Sequence, residues 1–205
     1  MPEINFDKLC KEYLDSAYSD LTGFISYEAG EKEKHKEEKV FLTYGEIKYE
    51  SIDLLLSKIE ITPDDIFCDL GSGIGKVVAQ VFMKTAVKEA FGVVANPLRS
   101  ASARKIQAQI QKDFPVLFEH GRSIDFYESN FLDTDISRAS MVYTCSTCFS
   151  DELLQDIANM VDANPNIRCI FSLKALPCKN FTLKEVIDVD CSWDKSRCHF
   201  YVKNI

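Results

Sequence analysis

The sequence predicts an α/β domain: a parallel sheet with helices on both faces, finished by an antiparallel hairpin. Three observations carry this. From Ile66 onward, short apolar runs alternate with longer helix-like stretches, the pattern of a sheet built from strand-helix-strand crossovers. The first of those runs ends in a carboxylate and a glycine-rich turn, Asp69-Leu70-Gly71-Ser72-Gly73-Ile74-Gly75. The last two strand-like runs, 182–189 and 197–202, are separated only by Ser192-Trp193-Asp194-Lys195-Ser196 and its neighbours. That is too short for a crossover helix, so these two must pair antiparallel.

In chain order, Phe6, Leu9, Cys10, Tyr13, Leu14, Ala17 and Leu21 recur at intervals of three and four, which predicts an amphipathic helix that docks on the rest of the chain. Residues 28–39 mix both charge signs with no apolar face and read as a solvated linker. The expected division is therefore 1–39, an N-terminal helix and charged linker, and 40–205, the main domain. Ile52, Leu55, Leu56 and Ile59 mark a helix that stops before Pro63. Strands follow at 66–70, 90–94, 123–127, 140–144 and 167–173. A helix over 76–84 follows the glycine turn. Asn96-Pro97 supplies a cap and a first-turn proline for a helix through Lys112, and Ser150 caps another running to about Val161.

The chain has 205 residues, 46% of them hydrophobic, enough for one good core and short for two domains. Its net charge of -8 leaves no overall electrostatic attraction to nucleic acid or anionic lipid, which is driven by clustered Lys and Arg. Asp7, Lys8, Lys11 and Glu12 interrupt any signal-peptide core, and no apolar run approaches the ~20 residues of a membrane span. A cytoplasmic protein is the expectation. Among the eight cysteines, Cys68, Cys145 and Cys169 fall in apolar, strand-like runs and read as reduced core thiols. Cys145 and Cys148 form a C-x-x-C, but no second pair completes a tetrahedral metal set, so no metal is expected.

The glycine turn is the strongest signal for a ligand, because glycines at alternate positions let the backbone approach where a Cβ would collide. A P-loop ending at Gly75-Lys76 would need glycine where Leu70 stands and Ser or Thr where Val77 stands. A dinucleotide fingerprint would need its third glycine at Lys76. The spacing D-L-G-S-G-I-G resembles instead the first motif of S-adenosylmethionine (SAM) methyltransferases. The strand ends after it, together with Tyr44-Gly45-Glu46 upstream, the run Phe67 to Gln80, Asn130-Phe131-Leu132 and the late Ser192-Trp193, resemble the non-SET lysine methyltransferases named for disruption of telomeric silencing.

The resemblance implies the seven-stranded class I, Rossmann-like methyltransferase fold, SAM as cofactor, and a protein lysine side chain as acceptor, with direct nucleic-acid binding not expected; a small-molecule acceptor, or SAM binding without catalysis, is the alternative. It implies that Tyr44, Glu46 and Ile47 lie over the methionine part of SAM, with the carboxylate of Glu46 answering its ammonium group. Asp69, Gly71 and Gly73 would form the floor, with Ser72, Gly75, Asn96, Cys145 and, in the helix behind, Gln80 as further cofactor-binding residues. Asn130 and Phe131 would recognise adenine. Where the family has an acidic residue at the end of the second strand to hold the ribose, this chain has Val94, and Asn96 is the candidate substitute. Where the family carries Asn-Asn-Phe after the fourth strand, this chain has Cys145-Ser146-Thr147-Cys148-Phe149. Tyr44, Phe149 and Trp193 are candidate walls of a lysine channel. Displacement at a sulfonium methyl by a neutral amine needs alignment and exclusion of water more than acid or base work, so no general base is assigned.

Overall fold

The computed structural model describes residues 5–24 and 45–204. Seven strands form a single sheet: β1 (Ile66–Leu70), β2 (Glu89–Val94), β3 (Ser123–Glu128), β4 (Met141–Thr144), β5 (Cys169–Ser172), β6 (Phe181–Asp190) and β7 (Lys195–Lys203). Their order is β3-β2-β1-β4-β5-β7-β6. The first five are parallel, and β7 lies antiparallel between β5 and β6. The central strands are buried on both faces, which is why they read in sequence as continuous apolar runs.

The helices are α1 (Phe6–Ala17), α2 (Tyr49–Leu56), α3 (Lys76–Lys84), α4 (Pro97–Asp113) and α5 (Asp151–Ala163). Four of them cover one face of the sheet. Cys10, Leu14 and Tyr18 of the α1 region, Ile52 and Leu55 of α2, Val78 and Phe82 of α3, and Ile106 and Ile110 of α4 share one core with Phe67, Ala90, Ile124 and Met141. On the other face, α5 places Leu153, Ile157 and Val161 against Cys68, Phe91, Val142 and Ile170. The helix expected to dock does so: α1 packs on α3, and Lys84 of α3 pairs with both Asp7 and Asp53. The charged linker 28–39 and the run 40–44 lie outside the described residues.

Capping follows the sequence. The Asn96 Oδ1 accepts from Arg99 N at 2.9 Å and Pro97 opens α4, while the Ser150 hydroxyl accepts from Leu153 N at 3.3 Å. A 3-10 segment, Pro115–Gly121, follows α4 and carries no apolar period in sequence. At the amino ends of β1, β4 and β5, the carboxylate of Asp65 accepts from Thr62 N, Ser140 Oγ and both Nε and a terminal nitrogen of Arg168, at 2.8–2.9 Å. Among the described residues no helix is long and apolar enough to cross a membrane.

Candidate active site

The strand order reverses between β1 and β4, and a cleft opens there at the carboxyl ends of the parallel strands. It encloses roughly 1100 Å³ of empty space, open solvent at its mouth included. The glycine turn forms its floor. Gly71 N and Ser72 N both donate to the Val93 carbonyl, at 2.9 and 3.0 Å, which ties the turn to β2. Gly71, Gly73 and Gly75 all have positive φ, at 92°, 56° and 87°. Gly71, Ser72 and Gly73 line the cleft. Gly75 does not, contrary to expectation: a Cβ there would sit 2.5 Å from the ring of Phe126 and 3.2 Å from Ala103, so this glycine lets α3 start hard against the sheet.

Asp69, the last but one residue of β1, is buried and its Oδ1 has no hydrogen-bond partner among the described residues. Burial pushes its carboxyl up to about 8. Tyr143 stands beside it in register on β4, with a buried hydroxyl equally unpartnered, and the Ser72 hydroxyl is a third such atom. All three residues line the one cleft. Buried polar atoms without partners are rare; the Ser72 hydroxyl packs against Gly92 of β2, while Asp69 Oδ1 and the Tyr143 hydroxyl, neighbours in register at the cleft, suit a polar ligand. Tyr143 escaped the sequence reading because, inside a strand-like run, it looks like any core aromatic.

The upper wall joins two distant segments. Ile47 bridges Cys191, Lys48 N donates to Asp190 O at 2.9 Å, and Ser192 N donates to Glu46 O at 2.7 Å, so residues 45–48 extend the β6–β7 hairpin. Gly45, Glu46 and Ile47 line the cleft, and Tyr44 lies outside the described residues. The carboxylate of Glu46 is 2.7 Å from Lys76 Nζ, so it is held by a lysine of the first turn of α3, which also lines the cleft. Trp193 is not part of the wall. It is 45% exposed and presses on Gly45, where a Cβ would lie 2.2 Å from its Cζ3. Its link to the cleft is therefore indirect, through the position of Gly45.

On the opposite side stand Val94, Asn96, Asn130, Phe131 and Phe149. The rings of Phe131 and Phe149 are 5.8 Å apart at 33°, an apolar pair fit to flank a base. Asn130 Oδ1 accepts from Leu132 N at 3.0 Å and Asn96 Oδ1 accepts from Arg99 N at 2.9 Å, so each residue reaches the cleft with its amide oxygen already accepting one hydrogen bond. Arg99, also missed in sequence, lines this side, with its Nε donating to the Gly23 carbonyl at 2.9 Å. Gln80 is a correction. Its amide donates to Tyr49 O and Asp53 Oδ1, at 2.9 and 2.8 Å, clamping α2 to α3 outside this cleft. Both cysteines of the C-x-x-C line the cleft, and burial pushes the Cys145 thiol up to about 12. Among the described residues, no group of three or more potential His, Cys, Asp or Glu ligands comes together around a metal position.

The sheet order and the cleft define a class I SAM-methyltransferase domain. Residues 27–199 match the family described as histone methylation protein DOT1, and the chain belongs to that family. The histone-lysine N-methyltransferase, H3 lysine-79 specific, of Cryptococcus neoformans var. neoformans serotype D is 27% identical over 184 residues, covering 83% of this chain and 28% of that protein. The enzyme of the same name from Caenorhabditis elegans is 27% identical over 129 residues, covering 56% and 14%. The chain thus spans between about a seventh and a little over a quarter of the length of these relatives. Among solved structures, an RNA methyltransferase from Salinibacter ruber in complex with S-adenosyl-L-homocysteine has a TM-score of 0.56 at 18% identity, covering 77% of this chain and 94% of its own. Magnesium protoporphyrin IX methyltransferase from Synechocystis, with bound SAM, has a TM-score of 0.56 at 9% identity over 100% of both chains. The acceptors of these two differ entirely, so the likeness is one of fold.

The cofactor of this fold and family is SAM, and the residues present fit it. Its sulfonium and ammonium are cationic, and the cleft offers Asp69, whose Oδ1 has no partner among the described residues, and the Lys76-paired carboxylate of Glu46. Its adenine matches the Phe131–Phe149 side. The ribose side is the weaker match, since Val94 has no side-chain acceptor.

Proposed function

We propose that the chain is a SAM-dependent methyltransferase whose acceptor is the amine of a protein lysine side chain, within a cytoplasmic setting. The observation that supports it most is the buried, unpartnered carboxylate of Asp69 facing the cleft above a glycine turn, in a chain of this family. Bound SAM supplies an electrophilic methyl on sulfonium. The chain's own contribution is positional. Asp69 and the glycine turn fix the cofactor's charged end, and Gly45, Glu46 and Ile47 with Phe149 limit the line along which an amine enters. Desolvation in such an approach depresses the pKa of the entering lysine and favours its neutral, nucleophilic form. No side chain in the wall is required to take a proton in the displacement itself.

The relatives are named for a histone lysine, whereas this chain carries 24 basic against 32 acidic residues. A free protein lysine, not one presented on DNA, is the acceptor this balance favours. Transfer of labelled methyl from SAM to the protein fraction of a lysate tests the class of acceptor, and transfer confined to small molecules overturns it. Comparing free basic proteins with assembled nucleosomes over a range of salt tests the finer point. A strong preference for nucleosomes that collapses with salt would reveal a basic surface and overturn the free-lysine reading.

A further inference from the structure

We infer that a basic cavity between β5, β6 and β7 is a subsite for a carboxylate side chain of the acceptor protein, carried beside the lysine that is methylated. This rests on the reading of the acceptor as a protein lysine and adds what flanks that lysine.

Strand alternation builds the cavity. Cys198 and Phe200 of β7 point into the core shared with α1 to α4, so Lys195, Arg197 and His199 stand on the opposite face, where Tyr201 joins the core under α5. There they border a cavity of roughly 850 Å³, open solvent at its mouth included, together with Lys174 just past the end of β5. One carboxylate, Asp188, shares the wall. It is the cross-strand neighbour of Arg197 in register, yet among the described residues neither Lys195 nor Arg197 has an ion-pair partner. In a chain of net charge -8, this is a local reversal of sign with its cations uncommitted.

Its place ties it to the acceptor. β5 and β7 pair antiparallel, so the end of β5 and the start of β7 lie at the edge of the sheet where the cofactor cleft opens. Lys174 N donates to Ser146 Oγ at 2.8 Å and Lys174 Nζ to the Phe149 carbonyl at 2.7 Å, so the loop that walls the cleft also braces the cavity. A chain that delivers a lysine past Phe149 has this cavity as its neighbour.

The occupant that fits is a carboxylate on protein, not the phosphate of a nucleic acid. Arg197 offers a planar fork that a carboxylate meets with both oxygens. Phosphate backbones require an extended stripe of Lys and Arg, whereas Asp188, Asp190 and Asp194 are exposed on the same hairpin and repel them.

The test is calorimetry on the S-adenosylhomocysteine-loaded protein with two N-acetylated, C-amidated peptides, one with glutamates and one with glutamines on both sides of a central lysine. The glutamate peptide is expected to bind tighter by on the order of tenfold, the size of a charge-assisted contact. Arg197→Gln combined with Lys195→Gln should erase the preference and leave S-adenosylhomocysteine affinity unchanged, which also reports that the variant is folded. Lys105→Gln, which removes a charge from the exposed surface of α4, should keep the preference. Equal binding of the two peptides by the wild type, binding of neither, or a preference that survives the double variant overturns the proposal. An oligoribonucleotide that binds through Arg197 and Lys195 and displaces the glutamate peptide also overturns it, by assigning the cavity to nucleic acid. The acceptor reading falls by a different result, methyl transfer confined to small molecules.

Discussion

Glu46 and Ser192 are joined twice: Ser192 N donates to the Glu46 carbonyl at 2.7 Å, and Glu46 N donates to the Ser192 hydroxyl at 3.0 Å. Through this pair the tip of the β6–β7 hairpin is fastened to the segment that walls the cofactor cleft. The adjoining residues repeat the relationship in side-chain packing, since the ring of Trp193 covers the Cα of Gly45.

That packing leads to the first prediction. A methyl group on Gly45 would lie 2.2 and 2.4 Å from two carbons of Trp193, so either the ring or the wall must shift. Gly45→Ala should weaken S-adenosylhomocysteine binding about tenfold, equivalent to about 1.4 kcal/mol. Adding Trp193→Ala should recover most of the loss, because the obstruction is gone. Calorimetry on the single and double variants gives the coupling. Strictly additive losses would show that Trp193 does not set the position of Gly45.

The glycines of the turn divide by function. Gly75 faces Phe126 and Ala103 and is absent from the cleft wall, whereas Gly73 is part of it. Gly75→Ala combines a φ of 87° with a 2.5 Å contact, and should lower folding stability by about 2 to 4 kcal/mol. Gly73→Ala should cost only about 1 to 2 kcal/mol of stability from its positive φ, and lose ligand affinity more than stability. Thermal melts with and without S-adenosylhomocysteine separate the two. If both variants lose stability and affinity in the same ratio, the division is wrong.

The fold was largely readable because buried parallel strands leave continuous apolar runs, and because Asn96-Pro97 and Ser150 announce helix starts by local chemistry. The glycine turn was readable for a similar reason, as positive φ and close approach leave few residue choices. Other site features were hidden. Lys76 and Arg99 occupy first turns of helices, where a cation reads as a solvated face, and Tyr143 sits in a strand where it reads as core. Gln80 was misplaced because its motif position says nothing about which helix face meets α2. The contact between Gly45 and Trp193 depends on pairing across most of the chain, which no local pattern encodes.

At the opposite end of the sheet, Asp65 gives an acid-stability prediction. Burial raises its pKa, but hydrogen bonds from Arg168, Thr62 and Ser140 outweigh this and hold it down at about 2, below the usual 3.8. A depressed carboxyl contributes stability above its unfolded pKa and loses it as pH falls through the folded value. Arg168→Ala should therefore destabilise by about 1 to 3 kcal/mol above pH 5, since Arg168 is partly exposed but Asp65 is not. The difference from wild type should shrink as pH falls from about 4 to about 2. A difference that stays constant across that window in denaturant titrations would assign the loss to packing instead of charge.

Asp69 titrates in the reverse sense, and its prediction concerns the ligand as well as the fold. Burial alone raises its carboxyl from 3.8 to about 8, so between those values the folded protein holds a proton that the unfolded chain has released. Stability contributed by the neutral form is complete below about pH 4 and declines as pH rises toward 8, by at most about 1.4 kcal/mol per unit. Asp69→Asn keeps the shape and cannot ionise, so the ligand-free variant should gain stability over wild type across that rise. A cationic ligand reverses the balance by favouring the ionised carboxylate. Binding of SAM to wild type should then strengthen from pH 6 to 8 and release a proton, while Asp69→Asn binds more weakly and without that release. The comparison with the variant removes the ligand's own titration, which both proteins share. Calorimetry in buffers of different ionisation enthalpy measures the proton directly. Equal affinity and equal proton release in the two proteins would mean that Asp69 does not face the cofactor's positive charge.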